Sequence, residues 1–193
     1  LAVSYYSGRR GVPLDYGLAF NYFQLSANQG FIDAHLRLAE MYRNGEGTNQ
    51  DLAQIFKHFK IASDSCSYNG HEMLAKMYEK GEGCTQDYNK AFNLYKLAAE
   101  VLSNQFLNVA RLYNSSIEID AINEEIKGLD EVIRNDPKEI RKWRQEKALE
   151  LYLKVDTRGQ EEAFYYAGLI YQDQGKDEEA RAMYQKIIDG GGE

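Results

Sequence analysis

The chain has 193 residues, 44% of them apolar, and a formal net charge of −7 at pH 7. That length holds one domain or two small ones. Nothing in it resembles the basic footprint that nucleic-acid binding needs, and no apolar run reaches the roughly 18 residues of a membrane span.

Residues 1–6 read as the tail of a first helix with no initiator methionine or signal-like segment ahead of it, so a piece of a longer protein is expected. Gly8, Arg9, Arg10 and Gly11 form a turn whose arginines read as solvated rather than as an anion clamp. A second helix starts at the cap Asp15 and runs to Ala27, and Gly30 ends it. Asp33 is expected to cap a helix over 34–44 that Gly45, Glu46 and Gly47 close. The next runs over 51–63 from Asp51. Asn69 and Glu72 fit a capping box for a helix that Gly81, Glu82 and Gly83 terminate. Asp87 caps its partner, striped by Ala91, Tyr95, Ala98 and Ala99.

These elements repeat. Leu-Ala-x-x-Tyr stands at 1–5, 38–42 and 74–78, with close variants at 109–113 and 167–171. A small residue followed four later by an aromatic occurs as Ala19/Phe23, Ala91/Tyr95, Ala148/Tyr152 and Ala180/Tyr184. Asp15, Asp51 and Asp87 are spaced by 36 residues, as are Tyr42 and Tyr78. A period of this length means stacked helix–turn–helix units in which alanines admit close approach and rings fill the gaps. The period breaks after Tyr113, where about 22 residues are inserted before Ala148. Within them Ile119, Ile122, Ile126, Leu129 and Ile133 mark one face of an acidic helix that Gly128 weakens. Asp136 then caps a helix with Pro137 at its first position. Its Lys138, Arg141, Lys142, Arg144 and Lys147 are expected to lie antiparallel along the acidic helix, with Trp143 packed there.

The first three copies resemble Sel1-like repeats, best at 70–99, where Gly70, Ala75 and Cys84 are the main departures. The last copy, with Phe164, Ala167, Gly168, Tyr171, Gly175, Ala180 and Tyr184, resembles a tetratricopeptide repeat. The resemblance covers about 1–113 and 147–189, and it implies an interaction scaffold. The expected fold is an all-α right-handed αα-superhelix: one solenoid with Sel1-like repeats over 1–113, inserted helices over 114–146, a tetratricopeptide-like repeat over 147–189 and a tail at 190–193.

Candidate chemistry is sparse. His35 and His71, 36 residues apart, occupy the position that Phe106 and Phe164 fill later, so a flat core ring is the better reading than a shared metal; His58 has no partner at metal spacing. His71 to Ala75 is not His-Glu-x-x-His, since Ala75 stands where the second ligand must be. Asp15, Asp51 and Asp87 recur too regularly to converge on one site. Cys66 and Cys84 flank a helix about 16 Å long, beyond disulfide reach, and free thiols favour a reducing compartment. No cofactor, metal or catalytic residue is assigned. The expected role is binding a protein or peptide in a groove lined by first helices, through Leu36, Glu40, Arg43, Asn44, Glu72, Lys76, Lys80, Arg111, Asn114, Tyr165, Leu169 and Gln172. Two other classes stand beside it: a spacer or dimerisation segment using the inserted helices, and a weak hydrolase.

Overall fold

The computed structural model describes residues 1–9, 11–101, 106–155 and 160–190. Arg10 and the last three residues of the predicted tail lie outside them. Among the described residues the chain is all-α: α1 (Ala2–Ser7), α2 (Tyr16–Asn28), α3 (Ile32–Asn44), α4 (Leu52–Asp64), α5 (Tyr68–Lys80), α6 (Tyr88–Ala99), α7 (Phe106–Asn114), α8 (Asp120–Lys127), α9 (Glu131–Asn135), α10 (Pro137–Tyr152), α11 (Gln160–Asp173) and α12 (Asp177–Gly190). It divides into two compact units, Leu1–Leu94 and Tyr95–Glu193.

In the first unit each helix packs on the next, α1 on α2, α2 on α3, α3 on α4 and α4 on α5. The repeated alanines are what permits this. Ala19, Ala39, Ala75 and Ala91 have no exposed surface at all, so the helices meet at backbone distance and the large rings fill the flanks. Tyr42 stands edge-on to Phe20 at 5.3 Å, and Tyr78 edge-on to Phe56 at 5.5 Å. The tyrosines also anchor the turns through their backbone: the N–H of Asp15 donates to the Tyr5 carbonyl, and the N–H of Asp87 to that of Tyr78.

Asp15, Asp51 and Asp87 cap helices as expected. Their carboxylates accept from the amides of Leu18, of Ala53 and Gln54, and of Lys90. Two other predicted caps are displaced. α3 starts at Ile32 behind Phe31, so Asp33 sits inside its first turn. α5 starts at Tyr68, and Ser67, not Asn69, accepts from Gly70. Replacing Ser67 by alanine is therefore expected to cost about 1 kcal/mol, while Asn69→Ala stays within about 0.5 kcal/mol; urea midpoints of the two variants check the assignment.

The two glycines of each Gly-Glu-Gly turn have different jobs. Gly45 and Gly81 are left-handed C-caps at φ 74° and 73°. Gly47 and Gly83, also at positive φ, press against the start of the preceding second helix. A Cβ at Gly47 would stand 2.2 Å from the Tyr16 carbonyl oxygen, and one at Gly83 2.5 Å from that of Leu52. Each turn thus seats on its neighbouring repeat.

In the second unit α7 packs on α10, α10 on α11 and α11 on α12. α7 and α10 are thus the two helices of one repeat, with the inserted residues occupying its turn. Two expectations change here. The inserted face is split into α8 and α9 at Gly128, so it is not one helix. α10 runs unbroken from Pro137 into the stripe Ala148 and Tyr152. Two of the basic side chains of α10 find other partners than the acidic helix: Arg144 donates to the carbonyls of Ser115 and Ile117, and Arg141 pairs with Asp173 of α11. Trp143 packs edge-on against Tyr113 of α7 at 6.2 Å. What docks the insertion is apolar burial, with Ile119 and Ile122 fully enclosed, plus the Tyr113 hydroxyl donating to Glu125 at 2.7 Å.

Candidate interaction surface

The expected contact residues of the first unit lie on α3 and α5, and the structure sorts them into two hollows. Leu36 and Glu40 line one of about 530 Å³, with Leu1, Val3, Phe23 and Phe31. Glu40 is already ion-paired with Arg37 at 2.9 Å. Arg43, Lys76 and Lys80 line a second, of about 430 Å³, over Leu52, Ile55, Met73 and Met77, with Glu82 at its edge. The helical period explains this grouping: Lys76 and Lys80 are one turn apart on α5, with Met73 and Met77 beside them. Glu72 pairs with Lys76, and Asn44 is exposed at the end of α3. The Arg43 guanidinium rests 5.2 Å above the Phe59 ring, a cation–π contact in which the charge stays turned to solvent.

In the second unit Arg111 and Asn114 are exposed on α7. Asn114 lines a hollow of about 650 Å³ with Glu118, Asn123, Arg141 and Arg144. On α11, Tyr165 and Leu169 are 50% and 40% exposed, which makes them available as contacts. Gln172 accepts from the Tyr184 hydroxyl at 2.9 Å, so it holds α12 before it holds anything else. The Tyr184 ring lies over Gly168, where a Cβ would come within 2.4 Å of it.

A polar cluster that the spacing did not reveal ties α10 to α11. Asp173 accepts from both Arg141 and Gln145, and Gln145 in turn accepts from Gln174.

The histidines are arranged differently from the expectation. His35 of α3 meets His58 of α4, not His71, with the two Nδ1 atoms 2.9 Å apart. The Tyr42 ring stacks on His58 at 5.8 Å. One Nδ1 donates and the other accepts, so both rings cannot be protonated in this arrangement. Burial, then the neighbouring His35 and Lys57, push His58 down to about 4; burial likewise lowers His35. His71 faces the Ser63 hydroxyl at 2.8 Å. Among the described residues no three His, Cys, Asp or Glu side chains gather as a metal site needs. In the first unit the Tyr6 hydroxyl donates to Glu46 at 2.9 Å, and burial followed by that carboxylate raises its pKa to about 12. Cys66 and Cys84 are free thiols.

Comparison with known proteins agrees with this architecture. Residues 1–31, 32–65 and 70–100 each match the family described as Sel1 repeat. A Sel1 repeat protein from Oxalobacter formigenes is similar over 100% of this chain and 72% of its own, at 18% identity and a TM-score of 0.77. The protective antigen c5321 of uropathogenic Escherichia coli, which displays an SLR fold, aligns with 98% of this chain at 22% identity and a TM-score of 0.58. This chain spans 52% of that antigen. MamA is similar over 90% of this chain and 86% of its own, at 17% identity and a TM-score of 0.56. No curated protein matches. At these identities the structural likeness speaks for the fold alone: an all-α array of helix–turn–helix repeats.

Proposed function

Because this chain belongs to the Sel1 repeat family, we propose that it is a non-catalytic scaffold holding a peptide or partner-protein segment against the outward faces of its first helices. Sel1 repeat proteins are generally protein-interaction scaffolds, and the fold is typically non-catalytic. The observation that carries the finer reading is the hollow on α3 and α5, where Arg43, Lys76 and Lys80 rim an apolar floor. Such a surface offers anchors for a side chain and charges that set register. In the second unit Arg111, Asn114, Tyr165 and Leu169 supply the corresponding contacts, with Gln172 beside them. No helix among the described residues is long and apolar enough to cross a membrane.

The test is capture of partners from the native cell by the tagged chain, quantified by mass. Alanine at Arg43, Lys76 and Arg111 together is expected to cut capture at least tenfold, with the helical circular dichroism unchanged. Undiminished capture would remove the first-helix faces from consideration.

A further inference from the structure

The α3–α5 hollow differs from its surroundings in charge, and that difference selects a partner. Residues 1–94 are near neutral, with nine Lys and Arg against ten Asp and Glu, yet the charged groups lining this hollow are three cations, Arg43, Lys76 and Lys80, against one anion, Glu82. The three cations are not equally committed. Lys76 is neutralised by Glu72, whose side chain is only 16% exposed. Lys80 reaches Glu82 at 3.7 Å, with both groups about half exposed or more, a contact that competes poorly with an incoming carboxylate. Arg43 has no carboxylate partner among the described residues and is held only over the Phe59 ring. Its planar fork is thus oriented and open to donate two parallel N–H bonds to a carboxylate.

The floor is apolar and adaptable. Ile55 and Met77 are buried, Met73 is half-buried, and Leu52 stands 55% exposed at the rim. Unbranched methionines reshape around varied side chains. A cavity of about 430 Å³ admits a few side chains, not a folded domain. Nucleic acid is a poor fit, since three cations beside methionines give neither a phosphate track nor a stacking platform.

We infer that this hollow binds an acidic linear segment of a partner protein, seating one large apolar side chain on Met73 and Leu52 while flanking carboxylates engage Arg43 and Lys80. This rests on the scaffold reading above and names the chemistry of what it holds.

The experiment is selection of a phage-displayed library of random twelve-residue peptides on the whole chain, followed by fluorescence polarisation of the enriched peptides with the purified protein. The expected pool is enriched in Asp and Glu next to Leu, Phe or Met. Binding should weaken several-fold between 50 and 300 mM salt, because exposed charges are screened. The double reversal R43E/K80E should cost the acidic peptides at least tenfold, while a second selection on it shifts toward Lys and Arg. Met73→Lys, which charges the floor, should also abolish binding. Circular dichroism and thermal melts confirm that the variants are folded. Enriched peptides that are neutral or basic, yet lost on Met73→Lys, would overturn the acidic assignment and leave the scaffold reading standing. Enriched peptides insensitive to R43E/K80E, to Met73→Lys and to alanine at Arg111 and Tyr165 would overturn both.

Discussion

Gly47→Ala is expected to destabilise the first unit by about 3–5 kcal/mol. Two penalties combine. The residue sits at φ 70°, where an L side chain is strained, and its Cβ would stand 2.2 Å from a backbone carbonyl that belongs to α2 and cannot rotate away. Gly83→Ala meets the same obstruction at the start of α4. Gly30 and Gly175 provide the control, because they too have positive φ but a methyl group there would meet nothing within 4 Å; alanine at either should cost only about 1 kcal/mol. Urea unfolding of the four variants separates the strain from the collision. Equal losses at Gly47 and Gly30 would mean that the turn does not bear on its neighbour.

Mild acid is the second lever. The His58 ring has its pKa pushed from an ordinary 6.5 down to about 4 in the folded chain, first by burial and then by His35 and Lys57. Because the folded state resists the proton that the unfolded state accepts, the stability held above pH 6.5 drains away as pH falls toward 4. The full shift would correspond to about 3 kcal/mol; with the ring partly exposed, a loss of about 1–2 kcal/mol is expected after allowing for solvent screening. The charged and titratable neighbours are His35 and Tyr42 on α3 and Lys57 on α4. Hydrogen exchange of α3 and α4 amides at pH 7.5 and 4.5 should show protection falling across this hairpin, and His58→Gln should flatten the dependence. An unchanged slope in that variant would assign the acid sensitivity to other groups.

The sequence revealed whatever the 36-residue period imposes. Ala39 and Ala75, Tyr42 and Tyr78, and the caps Asp51 and Asp87 all stand where spacing put them, because identical steric demands recur in each unit. What it hid depends on contacts between different positions of the period. His35 and His58 are on consecutive helices, so comparing His35 with its equivalent His71 could not pair them. The helix starts at Phe31 and Ser67 do not follow from residue type, because Asp33 outranks Phe31 as a cap and Asn69 ranks level with Ser67; the fold starts both helices earlier. Gly128 carried a local signal for the break between α8 and α9, but the isoleucine spacing ran across it. For the candidate surface, spacing placed Arg43, Lys76 and Lys80 on first helices; only the packing of Leu52 and Ile55 from α4 gathers them around one hollow.

The seating of Gly47 on Tyr16, and of Gly83 on Leu52, joins points 31 residues apart in both cases. A ribosome extruding this chain would therefore deliver the start of α2 well before the glycine that covers it. Each helix pair emerges incomplete and is finished by the one behind it, so assembly should lag synthesis by nearly one full period. A stall inside the second repeat would leave the first with an uncovered helix end, which chaperones or proteases could recognise.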